Sequence, residues 1–541
     1  MKGIITGREE FLYPDTELGE LKQEYIFSTT ANGKKGIQIL LEASGGEIEL
    51  EWNLPELSVE LYQMRAIPVE YNTGDGVAQG GSMVVERWED SMGEYVTRKA
   101  PFFVYDCLIP LQNQKIPVTE GRAAVYLCLD QKNIFGLKKG SLIIKNGNEE
   151  MKIHLSIKAY DVKIPEGTFS VSNWFSLAAI ERMHEGTEFT EILRKYVRAM
   201  KRTHQTTFFL ELDQKCVKDF EKKEFDFEYL TPMIQIFKEE QISTLEIGPI
   251  LSRGYKKDGR PDMYTAEFRC GMFPEILFSS KEGAEITEKY IHSLAVYLEK
   301  YGWNEEVLIH IHDEPDVHYE NETALEKRRQ QYHLVREMIK QYMPKARIIE
   351  AVGTAKFKDE IDVLVPVTSC YEQHREEFEQ CVGKEVWNYV CCGPEGKWLN
   401  RFLDFALIKG RILFWGFAKY KVSGFLHWGF NQFPEQMNPF KGTSCYNPTG
   451  IGSNFPCGDA FIVYPGNDGP WLSMRLEAQR QGAEDAMLLQ MLAQRKPEKA
   501  EQLIEKIFSS NTVYEEDPEQ FEKTYEELLK ELSDCQENQN G

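Results

Sequence analysis

The stretch VLIHIHDEP at residues 307–315 decides the fold of this chain. Its apolar beginning is typical of a buried strand, and Pro315 ends that strand because proline has no N–H to donate to a neighbouring strand. Asp313 and Glu314 therefore lie at the carboxyl end of the strand. Neighbouring side chains on a regular strand point to opposite faces, so we expect the chain to bulge or turn at this pair if both are to face one ligand.

Seven similar runs flank this one and alternate with amphipathic segments. After the first run, Phe189, Leu193, Tyr196 and Met200 recur at three- and four-residue spacing, which predicts a helix. Eight strand–helix units over roughly 300 residues predict an α/β fold of the (β/α)8 barrel type. A doubly wound open sheet is the structural alternative, but no GxGxxG motif follows a strand. The predicted barrel strands are residues 169–176, 206–213, 243–250, 307–315, 347–353, 362–368, 385–392 and 424–431.

The regions on either side of the barrel have their own patterns. Residues 1–165 contain short strand-like segments separated by glycine, asparagine and proline, which predicts an N-terminal β-sandwich domain before a catalytic barrel at 166–470. Residues 471–541 predict a C-terminal helical extension packed on the barrel. We expect the charges of its first helix to pair on the helix surface, at Arg475, Glu477, Arg480, Glu484 and Asp485.

The overall charge excludes some classes of partner. The net charge is −23, from 86 acidic and 63 basic residues, so nucleic acid and anionic membranes are poor partners. The chain has no run of about 18 apolar residues, so the sequence predicts no membrane span. The first twenty residues become acidic where a signal peptide needs an apolar core, so we expect a cytoplasmic protein.

The chain offers few signals for a metal. Its eleven cysteines have no CxxC spacing, which favours free buried thiols over disulfides or a zinc site. His310 and His312 form an HxH pair that could bind a metal together with His204 or His427. The alternative is that one histidine packs inside the barrel while the other orients an acid. We predict no metal and no organic cofactor.

The strand ends carry the candidate chemistry, because barrel active sites lie there. Crowding two carboxylates into a partly dry pocket separates their pKa values, so that one acts as an acid while the other stays ionised. A solvated acidic strand end is the plain alternative for Asp313 and Glu314. Weaker candidates for binding a sugar hydroxyl are the strand-end acids Asp213, Glu246 and Glu350.

Aromatic residues are the second signal at the strand ends. Trp174, Trp387, Tyr389 and Trp428 all lie in or beside the predicted strands. An aromatic ring fits the apolar face of a sugar ring. Core packing is the better explanation for any single tryptophan, but the recurrence of aromatic residues at several strand ends favours a carbohydrate site. The motifs GxSxG, HExxH and the phosphate-binding P-loop are absent.

Three segments resemble glycoside hydrolase family 123. They are LIHIHDEPD at 308–316, the stretch from WNYVCCGPEGKW to GFLHWGFN at 387–431, and SMRLEAQRQGAEDA at 473–486, with SNWF at 172–175 fitting the first barrel strand. The resemblance implies a retaining exo-β-N-acetylgalactosaminidase with substrate assistance. It implies that Asp313 orients the substrate's 2-acetamido group and that Glu314 is the acid and base. The residues expected to line the sugar pocket are Trp174, His312, Trp387, Tyr389, His427, Trp428 and Asn431.

Two alternatives stay open at this point. One is another glycosidase, of β-hexosaminidase or β-galactosidase type, with Glu314 as acid and a nucleophile from another strand. The other is a catalytically inactive barrel that binds carbohydrate. In each case the partner is an oligosaccharide or glycoconjugate, while linkage and oligomeric state are left undetermined by the sequence.

Overall fold

Eight parallel strands form one sheet, in which the second to eighth strands follow one another in chain order and the first strand pairs with the eighth. At its two edges, the N–H of Thr206 donates to the carbonyl oxygen of Val171 at 3.1 Å, so the sheet curls into a nearly closed barrel. The computed structural model describes residues 1–75, 84–85, 95–449 and 453–540. All eight predicted runs form strands, and the barrel is confirmed. The strands are β1 (Ser170–Asn173), β2 (Thr207–Glu211), β3 (Thr244–Gly248), β4 (Val307–Ile309), β5 (Arg347–Val352), β6 (Val363–Pro366), β7 (Glu385–Tyr389) and β8 (Gly424–His427).

Helices cover the outside of the barrel. The helix after β1 buries Ile192, Leu193, Tyr196 and Met200, which confirms the face that its periodicity predicts. The helices are α1 (Leu177–Met183), α2 (Phe189–Arg202), α3 (Thr231–Glu239), α4 (Lys281–Tyr301), α5 (Glu322–Tyr342), α6 (Thr368–Gln373), α7 (Arg375–Glu379), α8 (Lys409–Tyr420), α9 (Met474–Arg495), α10 (Pro497–Ile507) and α11 (Pro518–Asn540).

Two sheets form the predicted N-terminal sandwich and bury apolar residues such as Ile39, Leu50, Leu127 and Leu142 between them. The larger sheet contains, in order, Gly19–Glu20, Lys2–Thr6, Lys34–Glu42, Arg122–Asp130, Ser58–Val69, Phe102–Pro110, Gly469–Ser473 and Tyr464–Gly466. The smaller sheet contains Lys115–Pro117, Glu47–Asn53, Gly136–Asn146, Glu149–Tyr160 and Glu24–Thr30.

One hairpin links the two parts of the molecule. Its strands Tyr464–Gly466 and Gly469–Ser473 follow the barrel in the chain, yet the second strand pairs with the sandwich strand Phe102–Pro110. Ser473 then caps α9 by accepting a hydrogen bond from the N–H of Leu476. The hairpin therefore joins the sandwich sheet directly to the first helix after the barrel.

The expected surface pairing on α9 is wrong, because this helix is buried on nearly every side. Charges are found inside a protein only when they are paired, and each buried charge of α9 has a partner. Arg202 donates to Glu477 at 2.9 Å, and Arg411 donates to Asp485 at 2.7 Å. Although burial alone would raise it, Arg202 and Arg480 hold the pKa of Glu477 at about 2. The remaining pairs are Arg475 with Asp106 and Arg480 with Glu484.

The state of the cysteines and the character of the helices can be compared with the predictions from sequence. All eleven cysteines are free thiols, and eight of them are buried, as predicted; Cys370, Cys391 and Cys392 are partly exposed. Across the part of the chain that the structure describes, none of the helices has the length and apolar character needed to cross a membrane.

Candidate active site

A cavity of about 300 Å³ opens at the carboxyl ends of the barrel strands. Its polar wall contains Asp313, Glu314, His318 and Tyr389. The rest of the wall is mostly apolar, as is usual for a small-molecule site. It is lined further by Trp174, Met263, Ala351, Val367, Cys391, Cys392, Gly393, Leu426, Trp428, Pro448, Thr449 and Phe455.

The acidic pair lies on a loop and not on the strand itself. Strand β4 ends at Ile309, and residues 310–318, here called the acidic loop, follow it. Glu314 has φ of 51°, in the left-handed region that costs a non-glycine residue roughly 1–2 kcal/mol. This turn breaks the alternation of a strand, so that Asp313 and Glu314 both face the cavity.

Two buried arginines hold the acidic loop by its carbonyl oxygens. Arg253 donates from Nη2 to the carbonyl oxygens of Asp313 at 3.1 Å and Glu314 at 2.6 Å. Arg328, which is fully buried on α5, donates to the carbonyl oxygens of residues 315, 317 and 318 at 2.9 to 3.0 Å. Hydrogen bonds from a charged donor are stronger than neutral ones. The strained turn is therefore fixed from two sides.

The two carboxylates of the pair have different surroundings. The side chain of Asp313 faces the cavity, and among the described residues no side chain donates a hydrogen bond to its carboxylate. The pKa of Asp313 is raised to about 8, because the surrounding protein removes water from its carboxylate and because Glu314 and Glu350 repel its negative charge. Tyr389 contacts Oε1 of Glu314 at 2.6 Å. Burial and Glu314 raise the pKa of Tyr389 well above its ordinary value, so its O–H is the donor.

A buried triad of Glu246, His310 and Glu350 lies beneath the cavity. His310 Nε2 is 2.5 Å from Glu246, and its Nδ1 is 3.0 Å from Glu350. Burial alone would lower the pKa of His310, but the two carboxylates raise it to about 10. At neutral pH, His310 is thus a charged imidazolium held between Glu246 and Glu350.

The triad connects the floor of the cavity to the acidic loop. Glu246 accepts from the indole N–H of Trp174 at 2.7 Å. Glu350 accepts from the backbone N–H groups of Ile311 and His312 at 2.5 and 2.9 Å. These contacts orient an aromatic wall and the start of the loop together. Asp213, the third strand-end acid, is exposed and only caps a short turn at Lys215.

Three of the predicted aromatic residues line the cavity. They are Trp174, Tyr389 and Trp428. The ring of Trp174 stacks on Phe209 at 4.7 Å, and that of Trp428 lies 5.3 Å from Phe455. Together with the acidic pair, they bring five of the nine predicted site residues to one cavity.

The two predicted histidines do not line the cavity. His312 points away and stacks on Phe268 at 4.8 Å. His427 is fully buried, its Nδ1 accepts from the N–H of Gly429, and burial holds its pKa well below the ordinary value. Among the described residues, no three His, Cys, Asp or Glu side chains are arranged to hold a metal ion.

Trp387 and Asn431 also lie outside the cavity wall. Trp387 is 1% exposed and packs inside the barrel two residues below Tyr389, against Gly424 of β8. Asn431 is fully buried and exchanges hydrogen bonds with the backbone of Ser176. Trp387 keeps the expected alternation of β7 but at a depth the cavity does not reach, whereas Asn431 lies beyond the end of β8 at His427.

Sequence reasoning missed several residues of this site. Cys391 has the same alternation as Trp387 and Tyr389, so its place could have been predicted. Arg253 follows the end of β3, and a single arginine at that position predicts no particular role. Arg328 lies on a helix, and nothing in its spacing indicates that it reaches the acidic loop.

Comparison with known proteins identifies the family and finds solved structures with a similar fold. Residues 174–492, more than half of the chain, match the profile described as Glycoside hydrolase 123, catalytic domain. A family 123 glycoside hydrolase from Clostridium perfringens, studied for glycolipid glycan hydrolysis, superposes with a TM-score of 0.69 at 12% identity over 98% of each chain. A family 39 glycoside hydrolase from Bacteroides cellulosilyticus WH2 gives a TM-score of 0.36 at 11% identity over 86% of this chain and 82% of that one. No curated protein matches by sequence.

Proposed function

Because this chain belongs to glycoside hydrolase family 123, we propose that it removes terminal β-linked N-acetylgalactosamine from oligosaccharides or glycoconjugates, with retention of configuration. One observation carries this proposal: Asp313 and Glu314 are adjacent, and the turn at Glu314 directs both into one cavity. The two roles of a substrate-assisted reaction, an acetamide holder and a proton donor, need such neighbours.

The remaining lining of the cavity supports substrate assistance over the usual retaining mechanism. That mechanism needs a nucleophilic carboxylate about 5–5.5 Å from the acid, normally supplied by another strand. Among the described residues that line the cavity, Asp313 and Glu314 are the only carboxylates. Glu246 and Glu350 are fully buried and bound to His310. The nucleophile is then best supplied by the substrate's own acetamide.

The proposed reaction has two displacements at the anomeric carbon. The acetamide N–H donates to Asp313, and its carbonyl oxygen attacks the anomeric carbon as the glycosidic bond breaks. Glu314 gives its proton to the departing oxygen, and the sugar becomes an oxazolinium ion whose N–H stays hydrogen-bonded to Asp313. Glu314 then takes a proton from water, whose oxygen attacks the same carbon and opens the oxazolinium ring. Two inversions give net retention.

The electrostatics fit this division of roles. A pKa of about 8 for Asp313 means that the pair carries one proton at neutral pH before substrate binds. An acetamide N–H that donates to Asp313 stabilises its carboxylate, so the proton then resides on Glu314. The hydroxyl of Tyr389 holds one oxygen of Glu314 and directs the other toward the glycosidic oxygen. Trp174 and Trp428 offer flat apolar faces to the sugar ring.

Matched aryl glycosides test the proposal. We expect hydrolysis of the β-N-acetylgalactosaminide, little of the β-N-acetylglucosaminide and none of the β-galactoside, which has no acetamide. A trifluoroacetamido analogue should react much more slowly, because its carbonyl oxygen is a weaker nucleophile. A thiazoline mimic of the oxazolinium ion should inhibit.

Two outcomes would favour the other candidates. Equal hydrolysis of the β-galactoside would point to a carboxylate nucleophile and contradict substrate assistance. Sugar binding without hydrolysis of any substrate would point to a binding protein. Nuclear magnetic resonance of the first-formed product decides retention against inversion.

A further inference from the structure

Two adjacent cysteines form part of the cavity wall. Cys391 and Cys392 follow β7, both line the cavity, and their sulfur atoms are 3.8 Å apart. Both are free and partly exposed. No step of the proposed reaction uses either of them.

The backbone explains why both sulfurs reach the same cavity. Cys391 continues the alternation of Trp387 and Tyr389, so it shares the face of Tyr389. The N–H of Cys391 donates to the carbonyl oxygen of Gly393 at 3.0 Å, which turns the chain tightly at this point. Cys392 lies inside that turn and is therefore directed into the cavity beside its neighbour.

We propose that Cys391 and Cys392 are a binding site for trivalent arsenicals of the type R–As=O, and that an arsenical bound there blocks the cavity. Arsenic forms one bond to each sulfur, the arsenic–oxygen bond is lost, and the two thiol protons leave with that oxygen as water. Arsenic stays trivalent throughout. The step needs no oxidant and no reductant.

The spacing favours a bridging atom over a disulfide. A disulfide requires the sulfurs to approach to about 2.05 Å, whereas one arsenic atom joins two sulfurs that remain unbonded to each other. Two thiols held side by side bind such an atom far better than one, because the second bond forms within the same molecule. Trivalent arsenic is a soft centre, and soft centres favour sulfur ligands. Its third bond is already taken by its organic group.

Because its thiol stays protonated, Cys392 should react differently with arsenicals and with ordinary thiol reagents. The hydrogen bond with Cys391 and burial raise the pKa of Cys392 well above its ordinary value. Alkylating agents attack the thiolate, so they should react slowly with Cys392 at neutral pH. An arsenical condenses with the thiols and releases water. The apolar residues Trp428 and Phe455, which also line the cavity, suit an aryl group on the arsenic.

The experiment uses the full chain, reduced and freed of reductant, with phenylarsine oxide as the probe. Intact native mass should increase by the mass of one phenylarsine oxide per chain minus the mass of one water. A dithiol such as 2,3-dimercaptopropanol should remove it, and an equal thiol concentration of 2-mercaptoethanol should not. Cys391→Ser and Cys392→Ser should each lose the adduct. Cys370→Ser, which changes a partly exposed cysteine outside the cavity wall, should keep it.

The second measurement is the rate of hydrolysis, and its interpretation rests on the proposed function. We expect the arsenical to abolish hydrolysis in the wild type and in Cys370→Ser, and to leave both serine variants at their own uninhibited rates. No adduct on the wild type, or an adduct that survives either serine variant, would overturn the site. An adduct that leaves hydrolysis unchanged would overturn the blocking. An adduct on a protein that hydrolyses nothing supports the site and counts against the proposed function alone.

Discussion

Replacing Tyr389 with phenylalanine removes one hydrogen bond from the acidic pair and leaves the wall of the cavity in place. The lost contact is the 2.6 Å bond from the tyrosine hydroxyl to Glu314. The ring itself is 5% exposed and packs in the barrel interior. Phenylalanine fills the same space, so the change isolates the hydroxyl.

The size of the effect follows from the kind of bond. A hydrogen bond to a charged group contributes roughly 1.5–3 kcal/mol. A tenfold change in rate corresponds to about 1.36 kcal/mol. Since the tyrosine holds the group that gives and takes the proton, its loss should lower kcat/KM by about 10- to 100-fold.

The assay is the pH dependence of kcat/KM on an aryl β-N-acetylgalactosaminide. The loss should be similar across the pH range, and the basic limb, set near pH 8 by Asp313, should keep its position. Tyr420→Phe is the matched control, because its hydroxyl donates to Glu372 at 2.7 Å far from the cavity. If the Tyr389→Phe profile superposed on that of the wild type, the proposed contact would contribute nothing to catalysis and the reasoning would fail.

Asp313→Asn should lower kcat/KM by roughly 10²–10⁴-fold, because the group acts on the reacting atoms; Asp468→Asn, at an exposed hairpin turn, should not change it. Glu350→Gln leaves a buried imidazolium short of one carboxylate and should lower the free energy of unfolding in urea by about 3–5 kcal/mol. Glu305→Gln, in an exposed pair, should lower it by under about 1 kcal/mol. The pKa of Glu484 is lowered from 4.5 to about 2, so its stabilisation is complete above pH 4.5 and is lost as pH falls through 2. This amounts to about 3 kcal/mol, and Glu484→Gln should flatten the dependence of unfolding free energy on pH in that window.

Each of these expectations has an outcome that contradicts it. Wild-type turnover in both Asp313→Asn and Glu314→Gln would remove the acidic pair from the mechanism. A Glu350→Gln variant as stable as Glu305→Gln would mean that the triad contributes little to folding. An unfolding free energy that depends on pH equally in the wild type and in Glu484→Gln would place the acid sensitivity elsewhere.

The barrel could be predicted because each strand is a local signal, an apolar run that ends at proline, glycine or a polar residue. The length of β4 could not. The run extends to Pro315, yet the strand ends at Ile309, because the N–H groups of Ile311 and His312 bond to the carboxylate of Glu350 in place of the next strand. That carboxylate is some forty positions away in the chain, and no local pattern indicates it.

The site was predictable only in part for a similar reason. Counting strands placed the acidic pair, Trp174, Tyr389 and Trp428 at the barrel mouth. Alternation holds only while the chain stays extended, so it misplaced His312, which turns onto Phe268. The charges of α9 were misplaced because spacing shows which side chains share a helix face but not whether another part of the chain covers that face.

The hairpin at residues 464–473 bears on how this protein can be cut and recombined. Its second strand belongs to the sandwich sheet, and its last residue caps α9. The chain therefore re-enters the sandwich after the barrel strands and before the helices that follow the barrel. A barrel expressed from residue 166 onward would leave the edge of that strand unpaired and exposed. We therefore expect the two parts to melt in a single cooperative transition, and we expect modular exchange of the sandwich for another front domain to fail unless the hairpin is exchanged with it.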